Sequence, residues 1–303
     1  MIEYNPHDWR SHLCDIRGSL VREIFGRVAA CVAWSAVIIA LMRWLDYWSN
    51  GKIDHDLEIL AIPITAHTLL GIALSFLLVL RTNSSYERFW EGRKLWGGIV
   101  NETRNLARLA CVHLASDVPL RNDVIRWTIA YAYSCMHRLQ NTPVLADLES
   151  RLGDEANSAA AAEHVPLAIS RRITELLWQA KRRGLVSDYV MTHIDQNTQL
   201  LIDYLGGCER IHRTPLPFAY VVHLRRAIIV YTFTLPFALY KDFGWLTVVV
   251  TFLVAYLFYG IEEIGVTIEN PFEGQDNDLP LEQICATIDR NLSAMIKEPR
   301  LNA

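Results

Sequence analysis

The feature that most constrains this chain is an apolar run from Ile59 to Leu80 that carries no formal charge. The run is 22 residues long, and His67 is its only titratable side chain. About 20 apolar residues of α-helix are enough to cross a hydrocarbon core of roughly 30 Å. Pro63 is tolerated near the start of such a helix. The run therefore predicts a membrane-spanning helix, against the alternative of a buried helix in a large soluble protein.

Another apolar run, from Ile24 to Trp48, precedes this one in the chain. It has 15 uncharged residues between Arg27 and Arg43, whose long side chains can reach the membrane surfaces from the ends of a helix. The segment that joins the two runs is short and polar. The pair therefore predicts a transmembrane hairpin at residues 25–81, preceded by an interfacial or cytosolic helix at residues 1–24.

A second pair of runs predicts another transmembrane hairpin at residues 217–264. Its first run, Ala227 to Tyr240, is short for a span, and extending it back to Pro217 places two arginines in the helix. Its second run, Trp245 to Ile261, is followed directly by two glutamates. Four apolar runs, paired across short polar turns, favour an all-α membrane protein with four spans.

Basic residues are concentrated on one side of the predicted hairpins. The two short turns hold only Lys52 and Lys241, while arginines cluster before the first span and after the second. By the positive-inside rule, both termini, the middle region 82–216 and the C-terminal segment 265–303 face the cytosol. We therefore expect a multi-pass protein of a cell inner membrane or plasma membrane. The net charge of −4, without a basic patch carrying interleaved aromatics, argues against a nucleic-acid partner.

The middle region reads as a bundle of amphipathic helices. The pattern predicts helices at Arg121 to Gln140 and Ile169 to Arg183, and a last short helix at Pro280 to Asn291. The small, polar stretch from Leu148 to Pro166 predicts a surface loop. Together these segments indicate a cytosolic helical region attached to the four spans.

No catalytic or metal-binding motif is visible in the sequence. It contains no nucleophile elbow, phosphate-binding loop, dinucleotide fingerprint or zinc motif. Its six cysteines are scattered without a CxxC pair, and its two Gly-Gly pairs are too isolated to cradle a phosphate. We therefore expect neither an enzyme nor a resident cofactor.

The long uncharged run has two distinguishable faces. Ile72, Phe76 and Leu80 are spaced four residues apart and share one stripe of a helix, with Gly71 and Ser75 on an adjacent stripe. Small residues let membrane helices approach closely, and apolar constrictions can control ion flow by dewetting. The Ile/Phe/Leu stripe therefore lines a narrow pore or, alternatively, faces lipid and other helices.

Three blocks outside the membrane resemble the bacterial branch of the bestrophin family. They are RTNSSYERFWEGRKLWGGIVNETRNLAR from Arg81, GCERIHRTPLPFAY from Gly207, and EEIGVTIENPFEGQDNDLPLEQICATIDRNL from Glu262. The blocks are long, and they occur in the order and spacing of the family. The resemblance covers nearly the whole chain, with residues 115–183 more divergent.

The resemblance implies a homopentameric ion channel with one pore along the five-fold axis. Each protomer of the family has four membrane-spanning helices and a large helical cytosolic region. The three apolar rings of the family's pore neck correspond to Ile72, Phe76 and Leu80, where the family tends to have Phe at the third ring. A second narrowing near the cytosolic exit corresponds to Val190, when residues are counted back from the GCERI block without a gap.

The resemblance also bears on calcium. Eukaryotic members bind Ca²⁺ in an acidic clasp just after an NPF segment, and here that position reads NPFEGQDNDLPL. The candidate ligands Glu273, Asp276 and Asp278 are interrupted by residues without a carboxylate, although Ca²⁺ takes six to eight oxygen ligands. We therefore expect no metal site. If calcium does bind, Glu273, Asp276 and Asp278 are the candidate ligands.

The sequence thus predicts a pentameric channel whose partners are other copies of the chain, membrane lipid and small inorganic ions. The family implies that the channel conducts chloride or other anions. The residues themselves do not decide between a preference for anions and a preference for cations. One alternative is a transporter for a small solute, which usually shows inverted repeats and broken helices. The other is a non-conducting membrane scaffold.

Overall fold

The computed structural model describes residues 20–48 and 62–297. Within these ranges the chain consists of helices and their connections, without a strand, which confirms the predicted all-α class. The helices divide into two compact units. The span unit comprises the described residues up to Arg88 together with Pro215–Glu269, and the bundle unit comprises Phe89–Thr214 with the described residues from Asn270 onward.

Ten helices lie in the described ranges. In chain order they are α1 Val21–Trp48, α2 Ile64–His113, α3 Val118–Gln140, α4 Leu145–Leu152, α5 Glu155–Ala160, α6 Val165–Arg182, α7 Asp188–Arg213, α8 Phe218–Phe243, α9 Leu246–Thr267 and α10 Leu281–Lys297. Helix α2 runs without a break through the boundary at Arg88 and contributes to both units.

Four helices, α1, α2, α8 and α9, are long and apolar enough to cross a membrane, in agreement with the four predicted runs. Helix α2 begins at Ile64, directly after Pro63, which has no N–H to donate within a helix. The predicted start of this run, residues 59–61, lies outside the described residues. Helix α9 continues to Thr267, so Glu262 and Glu263 lie inside the helix and not beyond its end.

Small and weakly polar side chains lie between helices α1 and α9 of the span unit. Helix α1 packs against α9, and α8 packs against both. Between α1 and α9, the hydroxyl of Thr251 donates a hydrogen bond to Ser35 over 3.2 Å, and both residues are buried. Ala255 is also fully buried on the same side of α9. Small side chains of this kind let helix backbones approach closely where lipid supplies no hydrophobic driving force.

The bundle unit is built around α3, which is buried over most of its length and contacts α4, α6, α7 and α10. Asp117 caps its first turn by accepting the N–H of Leu120, and Asn141 ends it in the left-handed conformation. The buried hydroxyl of Tyr131 donates to the carbonyl of Leu201 over 2.8 Å. This bond satisfies a buried hydroxyl and ties the centre of α3 to α7.

The prediction of a surface loop at residues 148–166 is wrong. The structure forms α4 and α5 there, with Leu148 and Ala156 fully buried against the core of the bundle unit. The low-complexity composition is rich in alanine, which has the highest helix propensity of the amino acids. Its small side chain also allows a short helix to lie close to its neighbours. This stretch therefore forms short helices that pack against the bundle core.

Candidate pore-lining site

The predicted neck residues lie on the exposed face of α2. In the single chain, 51% of Ile72, 68% of Phe76 and 57% of Leu80 remain accessible. Their spacing of four residues places them on one stripe that follows the helix for two turns. Three large apolar side chains in a row are therefore left uncovered by the rest of the chain.

The opposite face of α2 is buried in the span unit. Leu74 and Leu78 pack into an apolar cluster with residues of α1, α8 and α9. One turn further, Arg81 and Ser85 continue the same face and are also buried. At 3.6 residues per turn these four positions lie on the far side of the helix from the exposed stripe. The sequence pattern thus separates a packing face from a free face.

The small-residue stripe beside the free face meets helix α8. Gly71 lies against Tyr231, where a Cβ atom would come within 2.7 Å of the tyrosine oxygen. The ring of His67 stacks on the ring of Tyr231 at 4.4 Å, and its Nε2 lies 3.2 Å from the carbonyl oxygen of the same residue. The prediction that small residues bring α2 close to a neighbour is confirmed at Gly71.

An open groove of 470 Å³ runs beside the exposed stripe. Two of its polar groups bond within α2: the Ser75 hydroxyl donates to the carbonyl of Gly71 and the Thr68 hydroxyl to that of Ile64. The groove is lined by residues of α2, α8 and α9: Thr68, Gly71, Ile72, Ser75, Phe76, Val79, Tyr231 and Phe258. Most of this lining is apolar and none of it is charged, so it offers no strong site to an ion.

The predicted aperture residue, Val190, lies in the first turn of α7 in the bundle unit. Ser187 caps this turn by accepting the N–H of Val190, whose side chain is half-buried against the core. The neighbouring side chain of Tyr189 is 86% exposed. The chain therefore presents Tyr189 to solvent more fully than Val190 at the start of this helix.

Two of the three candidate calcium ligands, Glu273 and Asp278, are held by bonds within their own segment, and Asp276 is exposed. Glu273 accepts hydrogen bonds from Asn270 and Gln275, and Asp278 accepts the N–H of Gln275. Burial raises the pKa of the Asp278 carboxyl above its ordinary value, against the opposing effect of that N–H. Within residues 20–48 and 62–297, no group of three or more His, Cys, Asp or Glu side chains is arranged to hold a metal ion.

Sequence reasoning missed a set of paired carboxylates in the span unit, of which Glu262 and Glu263 are buried and Glu269 is half-buried. Glu262 receives a hydrogen bond from Arg225 at 2.8 Å, and Glu263 receives one from Arg27 at 2.7 Å. Glu269 is paired in the same way with Arg81. A signal was present, because arginines placed inside apolar runs need a counter-charge when the runs are packed.

Comparison with known proteins identifies the family of this chain. A family model described as Bacterial/Fungal Bestrophin protein matches residues 1–294. The chain belongs to the bacterial and fungal bestrophin family. The resemblance seen in the three sequence blocks is thereby confirmed.

Bestrophin relatives cover almost the full length of the chain. A protein of Synechocystis sp., named a voltage-dependent anion channel-forming protein, is 35% identical over 300 residues, which are 97% of this chain and 94% of the relative. A protein of Nostoc sp. with the same descriptive name is 36% identical over 291 residues, covering 94% and 90%. The crystal structure of a bacterial bestrophin homologue from Klebsiella pneumoniae superposes with a TM-score of 0.82 at 31% identity and covers 91% of this chain and 99% of that one.

Proposed function

We propose that the chain forms an ion channel that conducts small inorganic anions across a membrane. The observation that carries the proposal is the exposed stripe of Ile72, Phe76 and Leu80 on a spanning helix whose other face is buried. Membership of the bestrophin family and the names of relatives from Synechocystis and Nostoc support it. They point to a channel and not to an enzyme, and passive conduction requires no catalytic group or cofactor.

The proposed assembly is a homopentamer with a single axial pore. Five copies of the stripe would form three apolar rings, at Ile72, Phe76 and Leu80, and these rings would be the neck of the pore. An apolar constriction controls ion flow through its width and its wetting, since a narrow apolar passage expels water. Val190, at the start of α7, is the proposed second narrowing near the cytosolic exit.

The proposed topology places both termini in the cytosol of a cell inner membrane or plasma membrane. Residues 25–81 and 217–264 would be the two transmembrane hairpins, in contact with lipid, and residues 82–216 and 265–303 would be cytosolic. The distribution of lysine and arginine supports this orientation, because basic residues are retained on the cytosolic side.

The neck is tested by replacing Ile72, Phe76 and Leu80 together with alanine. Smaller side chains widen an apolar constriction and ease its wetting, so unit conductance in planar bilayers should rise about twofold or more. Purified protein in a bilayer of defined lipid gives this value directly from single-channel currents.

A matched control lies on helix α9, where three exposed apolar residues have the same spacing of four. Val249, Leu253 and Leu257 are 52% to 56% exposed, close to the values of the neck residues. Alanine at these three positions should leave unit conductance unchanged. If the neck variant conducts like the wild type, or if the α9 variant changes conductance equally, the stripe of α2 is not the neck.

A further inference from the structure

An ion pair between the buried Arg81 and the half-buried Glu269 lies directly beside the proposed neck. Arg81 follows Leu80 in α2, yet only 1% of it is accessible. Its Nη2 donates to Oε2 of Glu269 at 2.7 Å, and its Nη1 donates to the hydroxyl of Ser85 at 2.9 Å. Because a guanidinium carries a positive charge, it requires the carboxylate wherever α2 is packed in this way.

Glu269 also holds two other parts of the span unit. Its second carboxylate oxygen, Oε1, accepts the N–H of Leu216 at 2.8 Å, in the segment that leads into α8. Its backbone carbonyl accepts a hydrogen bond from Nε of Arg88 at 3.0 Å. Arg81 and Arg88 are seven residues apart, or about 10 Å along the helix. Glu269 therefore bonds to α2 at two positions along the helix, Arg81 and Arg88.

The residues packed around Arg81 leave its side chain little room to move. Gly265 of α9 lies against Arg81, and a Cβ atom at that glycine would come within 3.4 Å of the arginine Cγ. Arg81 lies on the same buried face as Leu74 and Leu78, opposite the exposed stripe. A rotation or axial shift of α2 that moved Leu80 would therefore break the bonds to Glu269.

We propose that the Arg81–Glu269 pair is a positioning element of the channel neck, which fixes the rotation and height of α2 so that Leu80 faces the pore. This inference rests on the proposed function, since it assigns the pair a role only if the stripe lines the pore. Neither residue touches the conducted ion: they act through the helix that carries Leu80.

The test is the variant Glu269→Gln, which keeps the shape of the side chain and removes its charge. The amide offers one acceptor oxygen, so either Leu216 or Arg81 then faces an NH₂ group, and the guanidinium loses its counter-charge. We expect the unit conductance or the open probability to change by about twofold or more in planar bilayers.

The double variant Arg81→Met/Glu269→Gln separates positioning from simple loss of stability. It removes both charges and leaves the glutamine oxygen free to accept the N–H of Leu216. Thermal stability should return toward the wild-type value because no charge is left unpaired, whereas unit conductance should stay changed because the bond that fixes α2 is still absent. Glu175→Gln is the control, since it removes the charge of an exposed pair with Arg171 in the bundle unit and should leave conductance unchanged.

Some results would overturn the inference while leaving the channel intact. If the wild type conducts and the neck alanine variant alters conductance, but Glu269→Gln lowers only thermal stability, the pair is structural alone. If Glu269→Gln fails to assemble, Glu269→Asp decides, because it keeps the charge but is one methylene too short to reach both Arg81 and Leu216 from the same backbone position. Unchanged conductance in Glu269→Asp then overturns the inference, and a changed conductance supports it. A wild type that passes no current instead refutes the proposed function.

Discussion

Single residues in the core of the bundle unit have chemical properties that follow from burial. Cys208 is fully buried in α7, and its loss of solvent raises the pKa of the thiol to about 12, with a smaller contribution from Glu209. Burial also raises the pKa of the Cys135 thiol in α3. The thiolate is the reactive form of cysteine, so both side chains should be inert in the folded chain.

Cysteine labelling tests this expectation at Cys208. In a variant with all other cysteines replaced by serine or alanine, a maleimide should label Cys208 only after unfolding in denaturant. At pH near 7.5 the folded chain should react at least about a thousandfold more slowly than the unfolded chain, because a thiol with a pKa of about 12 carries far less thiolate than a free cysteine, whose pKa is about 8.5. Labelling of the folded protein at a rate within about tenfold of that of the unfolded chain would contradict the buried placement.

Sequence reasoning at the residue scale succeeded with periodic apolar positions and failed with buried charges. The stripe of Ile72, Phe76 and Leu80 follows from a spacing of four within one helix, which a single segment displays completely. The partner of Arg81 is Glu269, 188 positions away, so no local pattern could pair them. The apolar stripe of α2 was predictable from the sequence, but the bond between Arg81 and Glu269 was not.

At the scale of an element, helix α2 packs closely against α7 at only one of two adjacent glycines. Gly97 and Gly98 are adjacent, but only Gly98 lies against a neighbour, the ring of Tyr204 in α7. A Cβ atom at Gly98 would come within 2.6 Å of ring carbons, whereas at Gly97 the nearest atom is the Nη1 of Arg93 at 4.0 Å. The pair that appeared isolated in the sequence is therefore a helix contact.

The variants Gly98→Ala and Gly97→Ala test this contact against each other. Both gain about the same helix propensity from alanine, but only Gly98→Ala forces the Tyr204 ring to move. Gly98→Ala should be less stable than Gly97→Ala by about 1–3 kcal/mol, seen as a lower midpoint of thermal unfolding in detergent. Equal midpoints would mean that α2 and α7 do not approach at this point.

Element types were predictable where a run was long and uniform. All four apolar runs are helices, and the predicted helices at 121–140, 169–183 and 280–291 correspond to α3, α6 and α10. The apolar runs do not mark the ends of the helices, since the fourth run ends at Ile261 and α9 continues through Glu262 and Glu263 to Thr267. Ion pairs with Arg225 and Arg27 explain the continuation, because they compensate the two buried charges.

At the scale of the whole molecule, the central claim is that copies of this chain enclose an anion-conducting pore. A single chain leaves the stripe of α2 uncovered, and an apolar surface of this kind on a spanning helix is covered by lipid or by further copies. The stripe alone does not choose between anions and cations, since its side chains carry no charge. Selectivity is therefore a property of the assembled channel and must be measured on it.

The most direct measurement is the reversal potential of purified protein in a planar bilayer with unequal salt concentrations on the two sides. An anion channel reverses close to the equilibrium potential of chloride, and replacing chloride on one side with a large organic anion shifts that potential in the direction expected for chloride permeation. A reversal potential close to that of the cation would contradict anion conduction. An absence of current above that of protein-free bilayers would contradict the channel itself.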